Sequence, residues 1–278
     1  MLDLVNVIYK KGEELKELEI FVGVCRHALN KAAKSLEALD LRRRIAEVLD
    51  EEQESESELE AAKEHAKKVS QFAESQRKDG LPYLHSLCAV RLWALTEAMI
   101  DELVVLSLLT PSDFFDQALL ARLKGPLIEF RSASPDEQAE FLAETLKQLV
   151  DAPLKIGAGK FEALLAPVGL GGNITDGVRR TLYELSQIRN IIVHKSGKAD
   201  RRLVEGCPWL NFKKGEDIHV TLKMFECYRL AVCWYIIEIR GRIESLYSIE
   251  NDMDLSSVLQ MIEVELDKAS LGLNCSDD

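Results

Sequence analysis

Between Leu15 and Leu39 the chain repeats an apolar or small residue at alternating steps of three and four: Leu15, Leu18, Val22, Cys25, Leu29, Ala32, Leu36 and Leu39. That spacing returns each residue to one side of a helix and is incompatible with a strand, whose side chains alternate with period two. The seam stops at DEEQESESELE (50–60), seven acids without a base, and resumes at Leu59, Ala62, Ala66, Val69 and Ala73. Two seams about an acidic turn predict an antiparallel helical hairpin ending at the breaker KDGLP (78–82). We expect residues 1–78 to form this coiled-coil-like arm, 79–250 a helical bundle, and 251–278 an amphipathic C-terminal helix and tail.

Helix is the expectation for most of the remainder. Only 7 Pro and 15 Gly punctuate 278 residues, and most of them fall between 110 and 215. The apolar runs LVVLSLLT (103–110) and LAVCWYIIEI (230–239) are too short to span a bilayer, which takes about 20 residues, so both read as buried core helices and no membrane partner is expected. Glu97 and Asp101 share a helix face with no His at metal-ligand spacing, and read as ion-pairing groups. The glycines of GAGKFEALLAPVGLGGN match neither dinucleotide nor P-loop spacing, and helix-breaking and close packing explain them better than a nucleotide site. After 202, two short β-like runs about KKGE predict a small β-hairpin insertion in an otherwise all-α fold. Six Cys without a CxxC pair read as reduced core thiols of a cytoplasmic protein, and neither a cofactor nor a metal is expected.

The net charge of −12 argues against a general nucleic-acid coat, since phosphate binding is driven by Lys and Arg. The charge is uneven, however. Residues 177–214 hold nine Lys/Arg against Glu184, Asp200 and Glu205, a local 9 − 3 = +6. Within this island a helix is expected from Thr175–Asp176 to Lys195, with Gly197 as its C-terminal cap. At about 100° per residue, Val178, Leu182, Leu185 and Ile192 form an apolar stripe with Arg189 in its middle, while Tyr183, Gln187, Asn190 and His194 form a polar strip beside it. A buried, unpaired guanidinium is costly, so the stripe is expected to open onto a partner or a pocket at Arg189. His194 combines the favourable negative end of a helix with the opposing charges of Arg189 and Lys195, a setting for titration near neutrality.

The stretch FEALLAPVGLGGNITDGVRRTLYELSQIRNIIVHKSGKADRRL and the following CPWLNFKKGEDIHVTLKMFECYRLAVCWYIIEI resemble the HEPN domain superfamily, in particular its larger members with Arg-Asn-x3-His. The resemblance covers about residues 83–247, and its specific part is Arg189, Asn190 and His194. It implies an all-α bundle that dimerises around the motif helix, and a metal-independent endoribonuclease of the kind found in toxin–antitoxin and antiviral defence systems. By that resemblance Arg189 and His194 are the catalytic pair and Asn190 supports them; the basic island adds Lys195, Lys198, Arg201 and Arg202 as the expected RNA-binding residues. Minimal toxin members carry Tyr two residues after the His, where this chain has Ser196, a departure that bears on neutralisation through that tyrosine. The alternative is a non-catalytic HEPN scaffold, favoured by the acidic balance and the lack of aromatic stacking patches, that gathers an antitoxin or defence component through the N-terminal hairpin.

Overall fold

A computed structural model describes residues 2–50, 55–109, 113–125, 127–150, 157–250 and 253–271. The chain runs through α1 (Leu2–Ala32), α2 (Ser35–Val48), α3 (Glu56–Lys78), α4 (Pro82–Leu109), α5 (Gln117–Leu120), α6 (Leu127–Ser132) and α7 (Pro135–Val150). It continues through α8 (Ala158–Leu165), α9 (Asp176–His194), α10 (Arg201–Gly206), α11 (Leu222–Leu246) and α12 (Leu255–Leu271). The fold is all-α, as the sparse breakers require. Two helices that are apolar nearly all round form its centre. α4 buries Leu92, Leu95, Met99, Ile100 and Leu103, and α11 buries Tyr228, Val232, Tyr235, Ile239 and Ile243. α1, α7, α9 and α12 pack around this pair. Among the described residues no helix is long and apolar enough to cross a membrane.

The N-terminal seam serves two different surfaces. In α1, Leu4, Val7, Ile8, Leu15 and Val22 are buried in the same hydrophobic core as α4 and α11. Lys11, 3% exposed, is satisfied by Glu14 at 3.2 Å and by Glu102 of α4 at 3.0 Å, and Arg91 reaches Glu14 at 2.7 Å. The boundary expected at 78–79 therefore falls between helices of one core. Beyond a break at Ala33–Lys34 the seam changes partner. α2 has no buried residue and rests on α3, which runs back antiparallel and buries Ala66, Ser70 and Ala73. Small residues let the backbones approach: Ser70 Oγ donates to Ala33 O at 2.7 Å and Ser35 Oγ to Ala66 O at 2.9 Å. Ser55 and Glu58 close a capping box at the start of α3; residues 51–54 of the acidic turn lie outside the described residues.

The expected β-hairpin does not form, and among the described residues there is no strand, only an isolated bridge between Lys198 and Asp217. Asp200 accepts from Leu203 N at 2.9 Å and so caps α10 where the first β-run was expected. Pro208, which has no N–H to give to a ladder, follows in a short 3-10 turn. The KKGE segment does turn, with Gly215 at φ +86°, but its return leg pairs upstream: Ala199 N donates to Glu216 O, Gly215 N to Ala199 O and Ile218 N to Gly197 O, each at 2.8 Å. This folds the chain after α9 back along the end of that helix. Cys25, Cys88, Cys207, Cys227 and Cys233 are free thiols; Cys275 lies outside the described residues.

Candidate functional site

α9 packs against α4 and α11, and its apolar stripe is already covered inside the chain. Val178, Leu182 and Leu185 are each 0% exposed, which removes them as a surface for a second copy and corrects that expectation. The buried sector then drifts round the helix. Further along, Ile188 and Ile191 carry it, about 80° and 140° to one side of Val178 on an ideal helix. The drift leaves Arg189 at the rim rather than in the middle of a buried stripe, with its side chain 27% exposed. Its guanidinium is also paired. Nη2 lies 3.6 Å from Glu97 Oε2 on α4, and Nη1 donates to Asn190 Oδ1 at 3.2 Å. The carboxylates of Glu97 and Asp101 are thus divided between two cations, since Asp101 pairs with Lys147 at 2.8 Å.

α9 ends at His194. Ser196 and Gly197 both take left-handed backbone, at φ +52° and +76°, and Gly197 N donates to Ile191 O at 3.2 Å, a closure in which Gly197 costs nothing because it has no Cβ. The reversal brings the residues after Gly197 opposite the polar strip of α9. Between them lies a groove of about 290 Å3, lined on one side by Gln187, Asn190 and His194 and completed by Lys195, Asp200 and Arg202. His194 is exposed there. The strip expected from the sequence is therefore the groove's floor, whereas Arg189 stands outside the groove and reaches it only through Asn190.

The four expected RNA-binding cations divide into two kinds. Lys195 and Arg202 line the groove. Lys198 is held by Asp217 at 2.9 Å and Arg201 by Glu205 at 2.7 Å, both on the solvent side. Glu205 is already counted in the +6, whereas Asp217 on Lys198 and Glu97 on Arg189 come from outside the island and offset two more of its charges; at the groove Lys195 and Arg202 stand beside Asp200.

Sequence reasoning missed one buried polar group on the same helix. Glu184 is 5% exposed on α9 and accepts from Trp209 Nε1 at 2.6 Å and from Tyr228 OH at 2.7 Å. Burial raises the Glu184 carboxyl above its ordinary range against the lowering influence of the two hydrogen bonds and of Arg180. Burial, reinforced by that carboxylate, raises the Tyr228 phenol well above 10. Arg180 stacks over Trp209 at 4.1 Å. The only signal in the sequence was an acid inside the helix's core-facing sector. Among the described residues no group of three His, Cys, Asp or Glu side chains is arranged to hold a metal ion. No family model, no curated protein and no solved structure matches the chain.

Proposed function

We propose that the protein is a metal-independent endoribonuclease of HEPN type, acting in toxin–antitoxin or antiviral defence. The observation that carries the reading is the meeting of Asn190 and His194 in one groove with the cations Lys195 and Arg202, with Asn190 Oδ1 accepting from Arg189, which stands just outside it. His194 takes the ribose 2′-OH proton, the oxygen attacks the adjacent phosphorus, and the P–O5′ bond breaks as the imidazolium returns a proton to the departing 5′ oxygen. Arg189 is always charged and forked, and suits the two non-bridging oxygens of the phosphorane. The chemistry requires the 2′-OH, so the substrate is RNA and not DNA.

On an ideal helix Arg189 and His194 diverge by about 140°. In this reading Arg189 leaves Glu97 to join the groove, or a second protomer supplies its own Arg189 across a two-fold axis. With the apolar stripe buried, a homodimer contact at α9 is confined to its C-terminal end, where Val193 is 48% exposed and Ile192 half-buried. The ion pair of Arg189 with Glu97 favours the second reading, a non-catalytic scaffold in which that arginine is structural. There the partner would meet the hairpin, where Leu41, Ile45 and Val48 of α2 are exposed. Purified protein incubated with mixed RNA in EDTA decides between them. The enzyme degrades RNA, and Arg189→Ala and His194→Ala each abolish the degradation; a scaffold leaves the RNA intact in all three.

A further inference from the structure

Tyr183, Gln187, Asn190 and His194 share one face of α9, and that face is the floor of two grooves that meet. Beside the groove at His194 lies a larger one of about 870 Å3, lined by Tyr183, Arg202, Gly206 and Lys214 among others. Asp200 and Arg202 belong to both walls. From Tyr183 to His194 is eleven residues, about 16 Å along the helix axis. Arg201 and Glu205 also line the larger groove, already paired with each other at 2.7 Å, and the trough has two further properties. Lys195, Arg202 and Lys214 are exposed and have no carboxylate partner among the described residues, whereas Arg189, Lys198 and Arg201 each have one. An aromatic ring also stands in it by construction. Tyr183 is half-buried against the core and its hydroxyl lies over Gly206, where an added Cβ would clash with it; a Cβ on Gly157 would meet the helix backbone, 2.9 Å from the Tyr183 Cα.

Unpaired cations spaced along a trough that holds an aromatic side chain bind single-stranded nucleic acid, the cations by phosphate neutralisation and the ring by base stacking. We infer that the larger groove is a second nucleotide subsite: with the scissile phosphate at His194, the adjoining single strand of RNA lies over Tyr183, its backbone against Arg202 and Lys214. The inference rests on the endoribonuclease reading and adds Tyr183 and Lys214 to the residues that hold substrate.

The test is fluorescence anisotropy of a labelled single-stranded RNA on the His194→Ala protein, which binds without cutting, with Lys214→Ala or Tyr183→Leu added. Each addition should weaken binding about fivefold or more, and Lys214→Ala should lower the slope of log affinity against log salt by about 0.7. A labelled dinucleotide, too short to reach from His194 to Tyr183, should bind all three proteins alike. If the longer RNA binds the parent and both variants with one affinity and one salt slope, the subsite is overturned while the proposed activity stands. If the dinucleotide weakens as much as the longer RNA, the two residues act through the fold and the subsite is likewise overturned. If the parent binds no RNA, the subsite and the activity fall together.

Discussion

Glu184→Gln isolates the buried network behind the candidate site. The wild-type carboxylate accepts two donors, Trp209 Nε1 at 2.6 Å and Tyr228 OH at 2.7 Å, and Tyr228 is 0% exposed. The amide keeps the shape but turns one acceptor of the ionised group into a donor, so one of the two donors then faces an N–H. Leaving a buried donor unsatisfied costs about 1–3 kcal/mol. In a chain of this size each kcal/mol shifts Tm by about 2–4 °C, and we expect a loss of about 2–12 °C by differential scanning calorimetry. The sign of the pH dependence follows from the raised Glu184 carboxyl. The folded state holds this proton more tightly than the unfolded state, so the contribution of Glu184 is fully present below the ordinary value of 4.5 and is lost as pH rises through the folded value. Glutamine does not titrate. The stability gap between wild type and Glu184→Gln should therefore narrow as pH rises from about 4.5 through the folded value of Glu184. Equal Tm values for the two proteins at all pH values, or a gap that widens with pH, would refute the reasoning.

Three further outcomes follow from the packing. A chain beginning at Gly80 loses Leu4, Val7, Ile8, Leu15 and Val22 from the core. At roughly 1.5–3 kcal/mol for each buried side chain this rivals the whole stability of a domain, about 5–15 kcal/mol, and the truncated chain should show no cooperative melting by circular dichroism. Ile45→Asp, on the helix with no buried residue, should change the urea-unfolding free energy by less than about 0.5 kcal/mol. Arg189→Ala removes a partly exposed ion pair at 3.6 Å and should cost no more than about 1 kcal/mol in the same assay, so a loss of RNA cleavage in that variant reports chemistry and not unfolding.

Periodicity carried much of this architecture and failed where several partners competed for one pattern. The all-round apolar runs of α4 and α11 marked central helices, and the polar strip Tyr183–Gln187–Asn190–His194 was visible at 100° per residue because it depends on the helix alone. The seam from Leu15 to Ala73 announced helices but could not say what each would bury, and α1 satisfies the core while α2 satisfies only α3. Arg189 shows the same limit. An ideal helix placed it in the apolar stripe, but the buried sector drifts from Leu182 to Ile191 as α9 crosses its neighbours, and a drift set by tertiary packing leaves no mark in local spacing. The β-runs after 202 lost to a capping aspartate, Asp200, and to Pro208. Tyr228 and Trp209 are separated by 44 and 25 residues from Glu184, whose carboxylate they share, a distance over which no motif could join them.

The ends of the RNA fragments test the central claim most directly. Mass spectrometry of a defined single-stranded RNA after incubation with wild-type protein in EDTA should find fragments ending in 2′,3′-cyclic phosphate, paired with fragments beginning in 5′-OH. A single 2′-deoxy substitution at the cut position should block that cut alone. Intact RNA, or fragments ending in 3′-OH, would contradict the assignment of His194 and Arg189 to attack by the 2′ oxygen.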